Sequence, residues 1–258
     1  MKLGVSSLFA IVKGFNYFLR ELEAHAGSFQ VVEVIDEART ALTKGRVKAL
    51  RDIARSLRVE LSLHAPFLDV NLASLSPSMR RASLKHLLRS LEKAGRLECR
   101  AWVVHGGTYP HRRVKGLAQR LGLSSIAKLA AAAEDLGVEV LVENSPSFEG
   151  CLFVKAREAL EALKGRARLC LDVGHANISK QVDEFLGEAS ELIAHVHAHD
   201  NDGLQDLHLT PGDGSVDWRR VVEALKGLGF KGAVVVETAA EPWKGLEYLK
   251  ILSGGRLT

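Results

Sequence analysis

Short apolar, largely β-branched runs recur along this chain at intervals of about thirty residues: KLGVS (2–6), QVVEVI (30–35), VELSLH (59–64), AWVVH (101–105), VEVLVE (138–143), RLCLDV (168–173), IAHVHA (193–198) and AVVVET (233–238). Near-continuous hydrophobicity over four to six residues marks strands covered on both faces, as in parallel sheets. Between the runs lie stretches with helical spacing, among them SPSMRRASLKHLLRSLEKAG, SSIAKLAAAAEDLG, KAREALEALKG and VDWRRVVEALKGLG. Several end in the Gly that closes a helix, and Ser76 before Pro77 reads as a cap followed by a first-turn proline. Strand then helix, eight times over and with no Pro/Gly/Ser-rich linker, predicts a single (β/α)8 TIM barrel over residues 1–258. An open doubly wound sheet of eight parallel strands is the alternative.

A barrel gathers the C-terminal ends of all its strands on one face, where active sites are built. The polar residues at those ends form one group: His64, His105, Glu143, Asp172 with His175, then His195, His197, His199 and Asp200, with Asp206 and His208 in the following loop, and Glu237. Imidazole and carboxylate donors without thiolate suit Zn2+, Mn2+, Co2+ or Fe2+, and the carboxylates keep Mg2+ open. Glu143, Asp172, His197 and Glu237 are the expected ligands, because four buried ionisable groups converging without a cation are costly. In HVHAH, alternation points His195, His197 and His199 to the same face. His197 is taken as the ligand, His199 as a residue behind the ligands or a substrate contact, and His195 as interior packing.

Composition narrows the class further. Hydrophobic residues make up 47% of the chain, yet no apolar run approaches the roughly 20 residues that span a bilayer. The start, MKLGVSSLFAIVKGF, is interrupted by Lys13 and Gly14 and lacks a signal-peptide layout. A cytoplasmic protein with no membrane partner is expected. The net charge of +4 suits a polyanion without requiring one, and the clusters Arg80-Arg81 and His111-Arg112-Arg113 read as solvated surface. Cys99, Cys151 and Cys170 form no CxxC pair, so they indicate neither a disulfide framework nor a thiolate zinc site.

Taken together, LHAPFLDVNLAS, VVHGG, VEN, LDVGHAN, HAHDNDGLQDLHLTPGDGSVDW and VVVET resemble the xylose-isomerase-like TIM-barrel superfamily over nearly the whole chain. That superfamily holds sugar and sugar-phosphate isomerases and epimerases, and also the endonuclease IV nucleases (AP endonuclease family 2). For the isomerase branch, the resemblance implies one divalent ion, Zn2+ or Mn2+, on Glu143, Asp172, His197 and Glu237. Glu143 and Glu237 then also act as acid and base, moving a proton through a metal-bound enediolate. His175, Glu149, Asn71 and His199 are the implied substrate contacts, Arg112 or Lys180 a hold on a terminal phosphate, and Glu33 the polar second-strand residue of sugar-active members. For the nuclease branch it implies three zinc ions on His64, His105, Glu143, Asp172, His175, His197, Asp206, His208 and Glu237. The chain departs from the nucleases in having ENSPSFEG and HAHDND where they carry ENTAGQG and HLNDSK, and its second-strand loop, EVIDEART, is acidic. The expectation is a metal-dependent isomerase or epimerase acting on a sugar or sugar phosphate. An abasic-site nuclease acting on DNA is the alternative.

Overall fold

The structure, a computed structural model, describes residues 1–255. Eight strands form a closed parallel barrel: β1 (Lys2–Ser6), β2 (Val31–Ile35), β3 (Glu60–His64), β4 (Ala101–His105), β5 (Glu139–Glu143), β6 (Arg168–Asp172), β7 (Ile193–Ala198) and β8 (Ala233–Val236). Each pairs with its neighbour in sequence. β8 closes on β1 from Lys2↔Ala233 to Val5↔Val236, which excludes the open sheet. The helices are α1 (Phe15–Ala24), α2 (Lys44–Leu57), α3 (Pro77–Arg96), α4 (Lys115–Glu134), α5 (Ala156–Leu163), α6 (Val173–Ile178), α7 (Val182–Gly187), α8 (Trp218–Gly227) and α9 (Pro242–Leu252).

Strand limits fall within about two residues of the apolar runs. β6 stops at Asp172 because that side chain turns to cap α6, accepting from the His175 N–H at 2.7 Å. α3 starts at Pro77 after an extended Ser76, although the Ser76 hydroxyl meets the Ser78 hydroxyl rather than a backbone N–H. α4 begins well before its SSIAKLAAAAEDLG segment. Its Gly122 sits where a Cβ would lie 3.1 Å from the Gly106 carbonyl, so the glycine lets the helix press on the loop after β4.

The main core lies between barrel and helices. Trp102, Phe18, Leu50, Leu87, Leu91, Phe153, Phe185 and Trp218 are fully buried there, each such side chain contributing about 1.5–3 kcal/mol. Inside the barrel, small apolar residues (Ala101, Val103, Leu141 and Cys170, with Val31, Ala233 and Val235 beside them) fill the lower layers. Among the interior side chains, Glu33, His195 and His197 are polar and buried. No helix among the described residues is long and apolar enough to cross a membrane.

Candidate metal centre

His64, His105, Glu143 and Asp172 are the last residues of β3 to β6, His197 is the fifth residue of β7, and Glu237 follows β8 directly. Barrel closure brings them together. His197 Nδ1 lies 3.3 Å from Glu143 Oε1, 3.3 Å from Glu237 Oε2 and 3.9 Å from Asp172 Oδ2. Donors bound at about 2.0–2.2 Å to one ion stand roughly 3–3.5 Å apart, so these four residues fit a divalent cation. Asp172 Oδ2 is buried with no hydrogen-bond partner, an orphan that such an ion would satisfy. The rest of this group is braced. Asn144 clamps the Asp172 backbone in both directions, its amide donating to the carbonyl at 2.9 Å and its oxygen accepting from the N–H at 2.7 Å. Ser6 donates to Glu237 Oε1 at 3.3 Å.

Two further donor sets adjoin the first. On one side, His64 Nε2 and His105 Nε2 stand 3.1 and 3.2 Å from Glu143 Oε2. On the other, Asp206 faces His175 Nε2 at 3.3 Å, His208 Nε2 at 3.5 Å and His199 Nε2 at 3.7 Å. His199 also meets Asp172 Oδ1 at 3.0 Å and stacks on His208 with centroids 3.9 Å apart. Each set places its donor atoms within 4.8 Å of one another.

Three of these histidines are oriented by the main chain. Nδ1 of His64, His175 and His208 lies 2.8 Å from the carbonyls of Ala65, Asn144 and Glu237 respectively. A carbonyl only accepts, so Nδ1 carries the proton, and Nε2 faces the carboxylates. That is the arrangement of metal-binding imidazoles.

The imidazoles and carboxylates of the mouth shift one another's titration. Burial pulls the His64 pKa down, but the Glu143 hydrogen bond and charge outweigh it and lift the pKa to about 9. His175 is lifted against its burial to about 10 by Asp172, Asp206 and Glu143, and His208 to about 9 by Asp206 and Glu237. Burial works to raise Glu143 and Asp172, yet both are held low, Glu143 by His197 and His105 and Asp172 by His175 and His199. Asp206 is held far below the usual carboxylate range by His175 and His208, against its burial.

The loop after β7 is organised by buried Asp200. It accepts from the backbone N–H groups of Asn201, Gly212 and Val216 at 2.9–3.0 Å and from Trp218 Nε1 at 3.0 Å, which carries Asp206 and His208 back over the barrel mouth. Gly174 is required beneath it, because a Cβ there would fall inside the His199 ring.

Other expected site residues lie apart from this cluster. The Asn71 amide is engaged by Thr108, while its oxygen accepts from Ala73 N–H and Thr108 N–H, so it ties two loops together. Glu149 and Arg112 are exposed, and the Lys180 ammonium donates to the Gly203 carbonyl. Glu33 lies inside the barrel, fully buried, with its carboxylate between His195 and His197. His195 is thus an interior residue that pairs with a carboxylate as well as packing. In EVIDEART, Asp36 is paired with Lys93 at 2.8 Å, and Glu37 accepts from Phe67 and Leu68 N–H, so these charges serve the fold. Sequence reasoning missed Phe67. That ring stacks on His105 (5.5 Å, 15°) and meets His64 edge-on. It stands inside the LHAPFLDVN segment, where a single aromatic carries no signal of its own.

A closed barrel whose mouth gathers imidazoles and carboxylates defines a TIM barrel with a candidate metal centre. The profile of the xylose isomerase-like TIM barrel family matches residues 20–252, and the chain belongs to this family. An uncharacterized protein of Methanocaldococcus jannaschii is 31% identical over 246 residues, 92% of this chain and 83% of that protein. D-psicose 3-epimerase of Ruminiclostridium cellulolyticum is 23% identical over 237 residues, covering 86% of this chain and 78% of the enzyme. The crystal structure of a D-tagatose 3-epimerase-like protein superposes with a TM-score of 0.90 at 30% identity, covering 98% of this chain and 97% of that one. These relatives support the expectation of an isomerase or epimerase.

Proposed function

We propose that the chain is a divalent-metal-dependent isomerase or epimerase of sugars or sugar phosphates, acting as one domain. The observation that carries this reading is the pair Glu143 and Glu237, from β5 and the end of β8, with each carboxylate 3.3 Å from His197 Nδ1. Glu143, Asp172, His197 and Glu237 would hold the ion, Zn2+ or Mn2+. When bound, it supplies Lewis acidity that acidifies the carbon next to a carbonyl and offsets charge developing on oxygen.

The chain's own groups do the proton work. Glu143 is held ionised by His197 and His105 against its burial, so it begins as a proton acceptor. Glu237, steadied by Ser6 through its other oxygen, returns a proton to the opposite face or the neighbouring carbon. The His105 side chain is 40% exposed, and this marks the open side of the mouth, where Phe67 provides an apolar wall against water. His175 and His199 are proposed as substrate or second-ion contacts. Glu149 and Asn71 are proposed to reach substrate only through movement of their loops, and Arg112 or Lys180 to meet a terminal phosphate.

One observation favours a second reading, an abasic-site nuclease. All the residues in the nuclease-type ligand set stand at the mouth in three adjoining donor groups, a layout suited to phosphodiester hydrolysis by ions about 3.5–4 Å apart. The test pairs a metal count on purified protein with two assays. One follows solvent deuterium entering a panel of ketoses and ketose phosphates, and the other follows incision of a duplex holding one abasic site. One or two ions with deuterium exchange support the isomerase. Three zinc ions with incision and no exchange overturn it.

A further inference from the structure

The geometry points to Glu33, backed by His195, as a positioning residue that fixes which nitrogen of His197 faces the ion. The inference rests on the metal-centre reading above and deepens it. His197 is the exception among the site histidines. His64, His175 and His208 donate Nδ1–H to backbone carbonyls and present Nε2, whereas His197 presents Nδ1 to Glu143, Glu237 and Asp172. Its Nε2 points into the barrel, where strand carbonyls are already spent on the ladder, and there it meets Glu33 Oε1 at 2.8 Å.

The two sides of the ring differ in their spacing. Separations of 3.3, 3.3 and 3.9 Å at Nδ1 leave room for a shared ion, while 2.8 Å at Nε2 is the length of a charge-assisted contact with nothing between. The ring N–H groups are not aligned on the Glu33 oxygens, so the clamp is electrostatic more than an in-line hydrogen bond. A buried carboxylate beside Nε2 still draws the proton there and leaves the Nδ1 lone pair for the metal. Glu33 is itself held, since its second oxygen lies 3.1 Å from His195 Nε2 and both rings are buried. Glu33 thus supplies by charge, for His197, the support that hydrogen bonds to main-chain carbonyls give the other three rings.

The competing use of this cluster is an interior metal site, because donor atoms of Cys170, His195 and His197 lie within 4.8 Å of one another. The closely packed Glu33 contacts argue against it, because that carboxylate already occupies Nε2 of both rings at 2.8 and 3.1 Å.

The experiment measures Mn2+ and Co2+ affinity of chelator-stripped protein for wild type, Glu33→Gln, His195→Gln and Glu143→Gln, with nitrogen-15 histidine spectra of the wild type. Glu33→Gln should bind the ion about ten- to a hundredfold more weakly with an unchanged far-ultraviolet circular dichroism spectrum. His195→Gln should lose less. Spectra of the wild type loaded with diamagnetic Zn2+ should show His197 protonated on Nε2 with Nδ1 bare of a proton, and this readout needs no variant to fold. Wild-type affinity in Glu33→Gln alongside a loss in Glu143→Gln overturns the role of Glu33 and leaves the metal centre standing. A His197 protonated on Nδ1 also overturns it, as does a cobalt–thiolate absorption band that disappears in Cys170→Ser. If the wild type binds no divalent ion, both this inference and the proposed function fall.

Discussion

Loading the metal centre should expel protons, and the number can be worked out from the residues. In the metal-free protein His64 and His208 titrate at about 9 and His175 at about 10. At pH 7 all three are imidazolium, and a metal accepts only neutral imidazole. Displacing the His64 proton at pH 7 spans about two pH units, or about 3 kcal/mol, and the His175 proton about three units, or about 4 kcal/mol. The set built on Asp206 contains two such histidines. Its affinity should therefore rise about a hundredfold per pH unit from about pH 7 to pH 9, and filling it at pH 7 should release about two protons. Calorimetric titration of stripped protein with Zn2+, in phosphate and in Tris, counts protons from the difference in buffer ionisation heat. A binding enthalpy independent of buffer at pH 7 would refute the reasoning, because the histidines would then already be neutral.

The same shifts set a stability trend. The folded pKa values lie above the unfolded value, so in the metal-free protein these pairs contribute fully below about pH 6.5 and are lost as pH rises through 9 to 10. The melting temperature of stripped protein should fall over that range while the gap to the loaded protein widens, as thermal scans would record. Glu143→Gln is expected to lower turnover about 10²- to 10⁴-fold with the fold retained, read by deuterium exchange, and near-normal turnover would remove Glu143 from the chemistry. Gly174→Ala should displace the His199 ring from Asp172 and weaken the Asp206 set about tenfold while sparing the central ion, as a two-phase metal titration would report. Asp200→Ala leaves several buried donors unpaired and is expected to cost at least about 3 kcal/mol, close to 10 °C in melting temperature for a chain of this size.

The barrel was legible because each strand is a compact apolar run and because Glu143, Asp172 and His64 end theirs. Alternation alone also placed His195, His197 and His199 on one face. What alternation leaves open is which partner each ring meets, since that depends on the tilt and stagger of strands that are distant in sequence. Glu33 reads in sequence as one polar residue in VVEVI, and only the closed barrel sets it against β7. Asn71 illustrates the converse. Its amide lies near the mouth in sequence terms, but loop hydrogen bonds to Thr108 and Ala73 claim it. Asp200 was visible within HAHDND as one more acidic group at a strand end. Its work as a loop organiser comes from four donors that return to it over eighteen residues.

The anchoring of His64, His175 and His208 on main-chain carbonyls bears on how such a site can diversify. A carbonyl is present whatever side chain its residue bears, so substitution at Ala65 leaves the His64 anchor in place as long as the backbone path survives. Loops at the mouth are thereby free to drift in sequence toward new substrates while three imidazoles keep their aim. His197 has no such insurance, and inherited change at its support would be felt at once.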